Sequence, residues 1–211
     1  FSTDDISSLR TSGDIPASGS VNFYLKMYNA KHAFTVPRDF KLVVAAVSQS
    51  WEEGTGLDME EYKDITRDGT EGANWVMASK GTEWTIPGGI YVDEDAQDFR
   101  QTVNFDRGDE DLEVDVTQMV EQWIIDNDVE NYGFGIFLSS SYEGYFSSST
   151  AENTGSQSSV LHNISGSTKS YYTKKFFARG SEYFYKRPVI EARWDSSKKD
   201  DRGNFYYSSS L

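Results

Sequence analysis

Apolar and polar positions alternate from Val21 to Met27, with Val21, Phe23, Leu25 and Met27 on one side and Asn22, Tyr24 and Lys26 on the other. That period of two predicts a strand with one buried face. Residues 42–47 (LVVAAV) are apolar without interruption between polar flanks, which predicts a mid-sheet strand buried on both sides. Residues 100–105 and 111–116 are two further short strands, separated by the acidic turn Asp106-Arg107-Gly108-Asp109. The period then changes: Val116, Met119, Val120, Trp123 and Ile124 form one apolar stripe at helical spacing, with Asp115 and Gln118 placed to cap its start. Beyond it, residues 133–141, 144–149, 169–177, 182–187 and 188–194 are strand-like and separated by Gly, Ser and Asn. Pro188 cannot donate to a ladder, so it belongs at a strand start or an edge. Many short strands with one short amphipathic helix predict an all-β sandwich.

The same patterning divides the chain. Residues 1–20 are rich in Ser, Asp and Gly, carry little apolar surface to offset ordering entropy, and read as an N-terminal arm or linker. Residues 21–194 are the sandwich. Residues 195–211, charged and then Tyr-rich, read as a C-terminal linker or the start of a further segment. Within the sandwich, residues 51–75 are polar and glycine-rich and predict a long connection, and Pro87-Gly88-Gly89 predicts a turn that needs positive φ.

Composition narrows the function classes. Aromatic residues make up 15% of the chain against 37% hydrophobic in all, so much of the core material is rings, which suits strands. A formal charge of −14 repels a phosphate backbone, and nucleic acid is not an expected partner. No apolar run approaches the roughly eighteen residues of a membrane span. With no cysteine, disulfides, thiolate metal sites and cysteine nucleophiles are excluded together. His32 and His162 are the two histidines, and neither lies near a serine or carboxylate motif of a triad. Glu52, Glu53, Asp58 and Glu60 could supply a glycosidase-like carboxylate pair, but among 34 acidic residues such a spacing arises by chance, so no catalytic residue and no enzyme activity are expected.

Seven segments in order carry a resemblance: WEEGTGLDMEEY (51–62), GANW (72–75), WTIPGGIY (84–91), LEVDVTQMVEQWI (112–124), NYGFGIFL (131–138), YFSSSTAEN (145–153) and KRPVIEARW (186–194). Together they resemble the DNRLRE-type jelly-roll domain, a relative of carbohydrate-binding modules, over most of residues 21–194. The resemblance implies a jelly-roll β-sandwich that binds rather than catalyses. Residues 156–185 depart from it as an insertion before the last strand. The second half, from KKFFARGSEYFYKRPVIEARWD to DDRGNFYYSSS, is also similar to structural proteins of tailed phages. That similarity implies a virion surface or tail role, with other virion chains as partners in a homo-oligomer; the alternative is an extracellular or secreted module that binds a glycan.

Two residue sets follow. A sugar face stacks on an exposed ring with polar groups around it, and Tyr62, Trp84, Tyr91 and Tyr142 are the rings placed in or beside loops. Exposed aromatic and basic patches suit protein interfaces, and Tyr171, Tyr172, Phe176, Phe177, Tyr183 and Tyr185, interleaved with Lys174, Lys175, Lys186 and Arg187, are the interface candidates. No cofactor is expected. Jelly-roll modules often hold a structural calcium, for which Asp93-Glu94-Asp95 and Asp106 with Asp109-Glu110-Asp111 offer oxygen ligands, without an EF-hand spacing that would assign them.

Overall fold

The structure is a computed structural model that describes residues 3–31, 36–53, 72–73, 77–86, 88–92, 99–125, 130–139, 141–142 and 174–195. Among the described residues the chain runs α1 (Asp4–Ser12), β1 (Val21–Met27), β2 (Phe40–Ala46), β3 (Met77–Ser79), β4 (Thr82–Glu83), β5 (Arg100–Phe105), β6 (Leu112–Asp115), α2 (Thr117–Ile125), β7 (Phe134–Leu138) and β8 (Val189–Trp194). The architecture is mostly β, in three small antiparallel sheets ordered β6-β1-β8, β5-β2-β7 and β3-β4.

The two larger sheets share one core. Alternation on β1 sends Val21, Phe23 and Leu25 inward, and β6 adds Leu112 and Val114; Phe40, Leu42, Val44 and Ala46 of β2 and Phe105 of β5 meet them in the same cluster. Phe40 and Phe105, register partners on adjacent strands, stack with centroids 5.1 Å apart. Fully burying a side chain of this kind contributes roughly 1.5–3 kcal/mol. The uninterrupted apolar run of β2 is explained by its central place: Val43 and Ala45 on its other face are buried as well. That outer face is covered beside β2 by Tyr91, whose ring lies 4.6 Å from that of Phe137 and packs on Gly135. A Cβ at residue 135 would sit 2.2 Å from the Tyr91 ring, so only glycine lets the ring lie flat on the sheet.

The predicted helix is α2, and its stripe behaves as the spacing requires: Val116, Met119, Val120 and Trp123 are buried and Ile124 half-buried. Asp115 Oδ1 accepts from Thr117 N at 2.9 Å at its start, and the Trp123 ring packs on Phe134 at 4.9 Å. A second helix, α1, lies within residues 1–20, the segment read as an N-terminal arm or linker. α1 ends in a left-handed Gly13 (φ +83°) that takes both final carbonyl bonds, and Ile15 enters the core. No side chain of α1 is fully buried; Ile6 packs half-buried against the core, and Arg10 Nη1 donates to Glu121 Oε2 at 2.7 Å. Hydrophobic pattern carries no signal for such a helix.

Residues 182–187 correct an expected strand. The strand expected there is a 3₁₀ turn over Phe184–Lys186, after which β8 begins. Arg187 is extended (φ −66°, ψ 150°), as a residue before proline must be, and Pro188 stands just outside the ladder. The strand expected at 144–149 lies outside the described residues.

Candidate functional site

The segment from Lys174 to Arg187 gathers the aromatic and basic side chains that the sequence singled out. It is tied down first. Phe176 bridges Asn29 in antiparallel sense, Ala30 N donates to Lys175 O at 2.9 Å, and Phe177 N donates to Tyr28 O at 3.0 Å. Lys174 turns inward: its Nζ donates to Asn29 Oδ1 at 2.8 Å, Gly108 O at 2.9 Å and Glu110 O at 2.6 Å, and lies over the Phe105 and Phe176 rings. An ammonium has three donors, and here each meets an acceptor. Burial pushes the Lys174 pKa down, against the pull of the Glu110, Asp111 and Asp109 carboxylates.

After this anchor the chain turns and exposes its rings. Ser181 N donates to Ala178 O, and Ser181 O accepts from Arg187 Nε at 2.9 Å, closing a loop around residues 182–186. Successive side chains on a 3₁₀ turn point about 120° apart, so three consecutive rings cannot all face one core. Tyr183, Phe184 and Tyr185 are 56%, 69% and 89% exposed. They are nonetheless ordered against one another: Phe177 meets Tyr183 edge-on at 5.8 Å, and Phe184 meets Tyr185 edge-on at 5.5 Å. Lys186 Nζ stands 4.8 Å over Phe177 and 5.7 Å over Tyr183, and the Arg187 guanidinium 5.5 Å over Phe184. The result is an aromatic platform edged by two cations on a chain of charge −14.

Four of the interface candidates are therefore described and two are not. Phe177, Tyr183 and Tyr185 are on the platform. Phe176 packs half-buried against the core beside Lys174, its ring 6.4 Å from that of Phe105. Tyr171 and Tyr172 lie outside the described residues. Phe184 belongs with the platform, and the YFYKRP run that holds it is the signal that could have found it.

The glycan candidates do not form a comparable surface. Tyr91 uses its ring to cover Gly135 and Phe137, and its hydroxyl donates to Gly88 O at 2.9 Å. Tyr142 packs against the core cluster, and Trp84, just after β4, is half-buried. Tyr62 lies outside the described residues. Trp51 is 40% exposed, with Nε1 donating to Tyr132 O at 2.7 Å. It borders a groove of about 410 Å³ between the sheets, together with Leu25, Met27, Tyr132, Phe134 and Ile136.

The acidic turn is occupied by its own backbone. Glu110 accepts from the N–H groups of Arg107 and Gly108, both at 2.6 Å, and Asp111 Oδ1 accepts from Asn29 N at 2.7 Å. Burial pushes the Glu110 carboxyl up, but the backbone N–H bonds from Arg107, Glu110 itself and Gly108 outweigh it and hold the value below the ordinary one. Among the described residues no group of three or more His, Asp or Glu side chains converges as metal ligands do. Asp93-Glu94-Asp95 lie outside them.

No protein-family model, no curated protein and no solved structure matches the chain.

Proposed function

We propose that this chain is a non-enzymatic assembly module of the jelly-roll kind, which works by protein–protein contact through the platform at Tyr183–Arg187 and suits the surface of a virion. The observation that carries the reading is the exposure of three consecutive rings beside two cations, Tyr183 edge-on to Phe177 next to Lys186 and Phe184 edge-on to Tyr185 next to Arg187. Exposed contiguous apolar surface of this sort, rimmed by charge, marks interaction sites, and Tyr, Phe and Arg are the residues that anchor them. The strand order supports the jelly-roll part. The two larger sheets are ordered β6-β1-β8 and β5-β2-β7 and share one core, so strands consecutive in the chain (β1/β2, β5/β6 and β7/β8) fall in different sheets. That is how ribbons wound around a sandwich arrange themselves.

The test is the mass of the full chain in solution by light scattering over a concentration range, alone and with Phe184→Ser/Tyr185→Ser. Growth of the wild-type mass beyond two chains that the double variant abolishes supports the reading. A wild-type mass that never exceeds two chains, unchanged by the variant, overturns it.

The groove beside Trp51 favours a second reading, glycan binding, because a ring fixed through its Nε1 offers a stacking face next to a cleft. Saturable quenching of tryptophan fluorescence by an oligosaccharide, lost in Trp51→Ala, would support it; no quenching across a glycan panel would sink it.

A further inference from the structure

β8 stands at the edge of its sheet, with β1 on one side along Val189–Trp194, and among the described residues no strand pairs with the other side. An edge strand offers a row of backbone donors and acceptors to any strand that fits, unless charge, a bulge or a proline blocks it. Pro188 precedes the strand and does not interrupt it. The charges on β8, moreover, are not of one sign. Glu191 Oε1 accepts from Arg193 Nε at 2.6 Å, Glu191 Oε2 from Lys26 Nζ at 2.9 Å, and Glu113 Oε1 from Arg193 Nη1 at 2.7 Å. Two cations and two anions thus form a ladder of zero net charge on the outer face of the sheet, within a chain of −14. On the inner face, Ile190 and Ala192 pack against the core only in part, and Trp194 at the strand end is 37% exposed.

This pattern is complementary to itself. When two copies of one strand pair antiparallel about a two-fold axis, residues directly opposite share a face, so the axis passes through a residue. An axis at Glu191 sets two carboxylates against each other, and an axis at Arg193 sets two guanidinium groups against each other. An axis at Ala192 places Glu191 opposite Arg193 of the second copy, and Arg193 opposite its Glu191. It also places the smallest side chain of the strand at the centre and sets Ile190 opposite Trp194, covering apolar surface that one chain leaves half-open.

We propose that β8 pairs antiparallel with β8 of a second copy of this chain, centred on Ala192, joining the two three-stranded sheets into one continuous sheet. The proposal deepens the reading of the chain as an assembly module by naming one partner and its surface. It does not use the aromatic platform, so the two can fail separately.

The test uses the full chain, with Glu191→Arg and Arg193→Glu made singly and folding checked by near-UV circular dichroism. In sedimentation velocity the wild type runs as a two-chain species, each variant alone dissociates at least tenfold more readily, and an equimolar mixture of the two variants recovers the two-chain species, because across the mixed pair each charge meets its opposite. Trp194→Ser, outside the ladder, also weakens the pair. A wild type of one-chain mass overturns the proposal, as does a pair indifferent to the single variants or a mixture of folded variants that stays monomeric. Phe184→Ser/Tyr185→Ser leaves the two-chain species intact, so its loss in that variant would also overturn pairing through β8. Failure of the platform reading shows only in the absence of growth beyond two chains.

Discussion

Lys174 and Lys186 each stand over two aromatic rings, at 4.8 and 5.0 Å from Phe105 and Phe176 in the first case and 4.8 and 5.7 Å from Phe177 and Tyr183 in the second. The ring geometry is nearly the same; the surroundings are not. Lys174 is enclosed between the β5–β6 turn and residues 29 and 176, with an acceptor for each of its three donors. Lys186 is exposed beside the half-buried Phe177 and the exposed Tyr183. A cation between rings is thus a structural fastening where water is excluded and a surface feature where it is not, because the interaction strengthens with desolvation.

The sharpest way to break this comparison is to remove a ring from each cluster. Phe105→Ala, at a site 1% exposed, should cost about 3–5 kcal/mol in urea unfolding. Phe184→Ala on the platform should stay within about 0.5 kcal/mol of wild type. Equal losses would mean that the platform is part of the core. Next in size are the lysines. Lys174→Met strands the Asn29, Gly108 and Glu110 oxygens and should lower stability by about 2 kcal/mol, against less than about 1 kcal/mol for Lys186→Met. The smallest effect belongs to a third charged group, the outer ladder. Hydrogen bonds from Arg193 and then Lys26 hold the Glu191 carboxyl at about 2, below its ordinary 4.5. A lowered folded-state value means that its contribution is present above about pH 4.5 and is lost as pH falls from there toward about 2. Melting temperature measured against pH should therefore fall less steeply over that window in Glu191→Gln than in wild type.

Much of the frame was legible in the chain. The alternation of Val21–Met27, the unbroken run in β2, the strand at 100–105 and the stripe of α2 each express a period that burial imposes locally, and each was found where it was expected. The helix α1 was not legible, because beyond a half-buried Ile6 it is tied down by an ion pair to Glu121, 111 residues away, and not by an apolar stripe. The platform was legible in composition only: YFYKRP announces rings and cations, but a run of aromatics has no period that separates a strand from a 3₁₀ turn. Tyr91 shows the same limit: offered as a binding ring, it is found covering Gly135.

The amino-acid order alone sets that β1, β2 and α2 form and which of their faces turn inward, since this follows from side-chain spacing along a few neighbouring residues. It also determined the absence of cysteine chemistry and the acidic surface. Tertiary contacts decide which of two similar lysines is half-buried, which rings remain in water, and that among the described residues β8 ends its sheet with Glu191 and Arg193 paired on one face. These depend on segments far apart in the chain meeting at one place, and a side chain's energy is set by what surrounds it there.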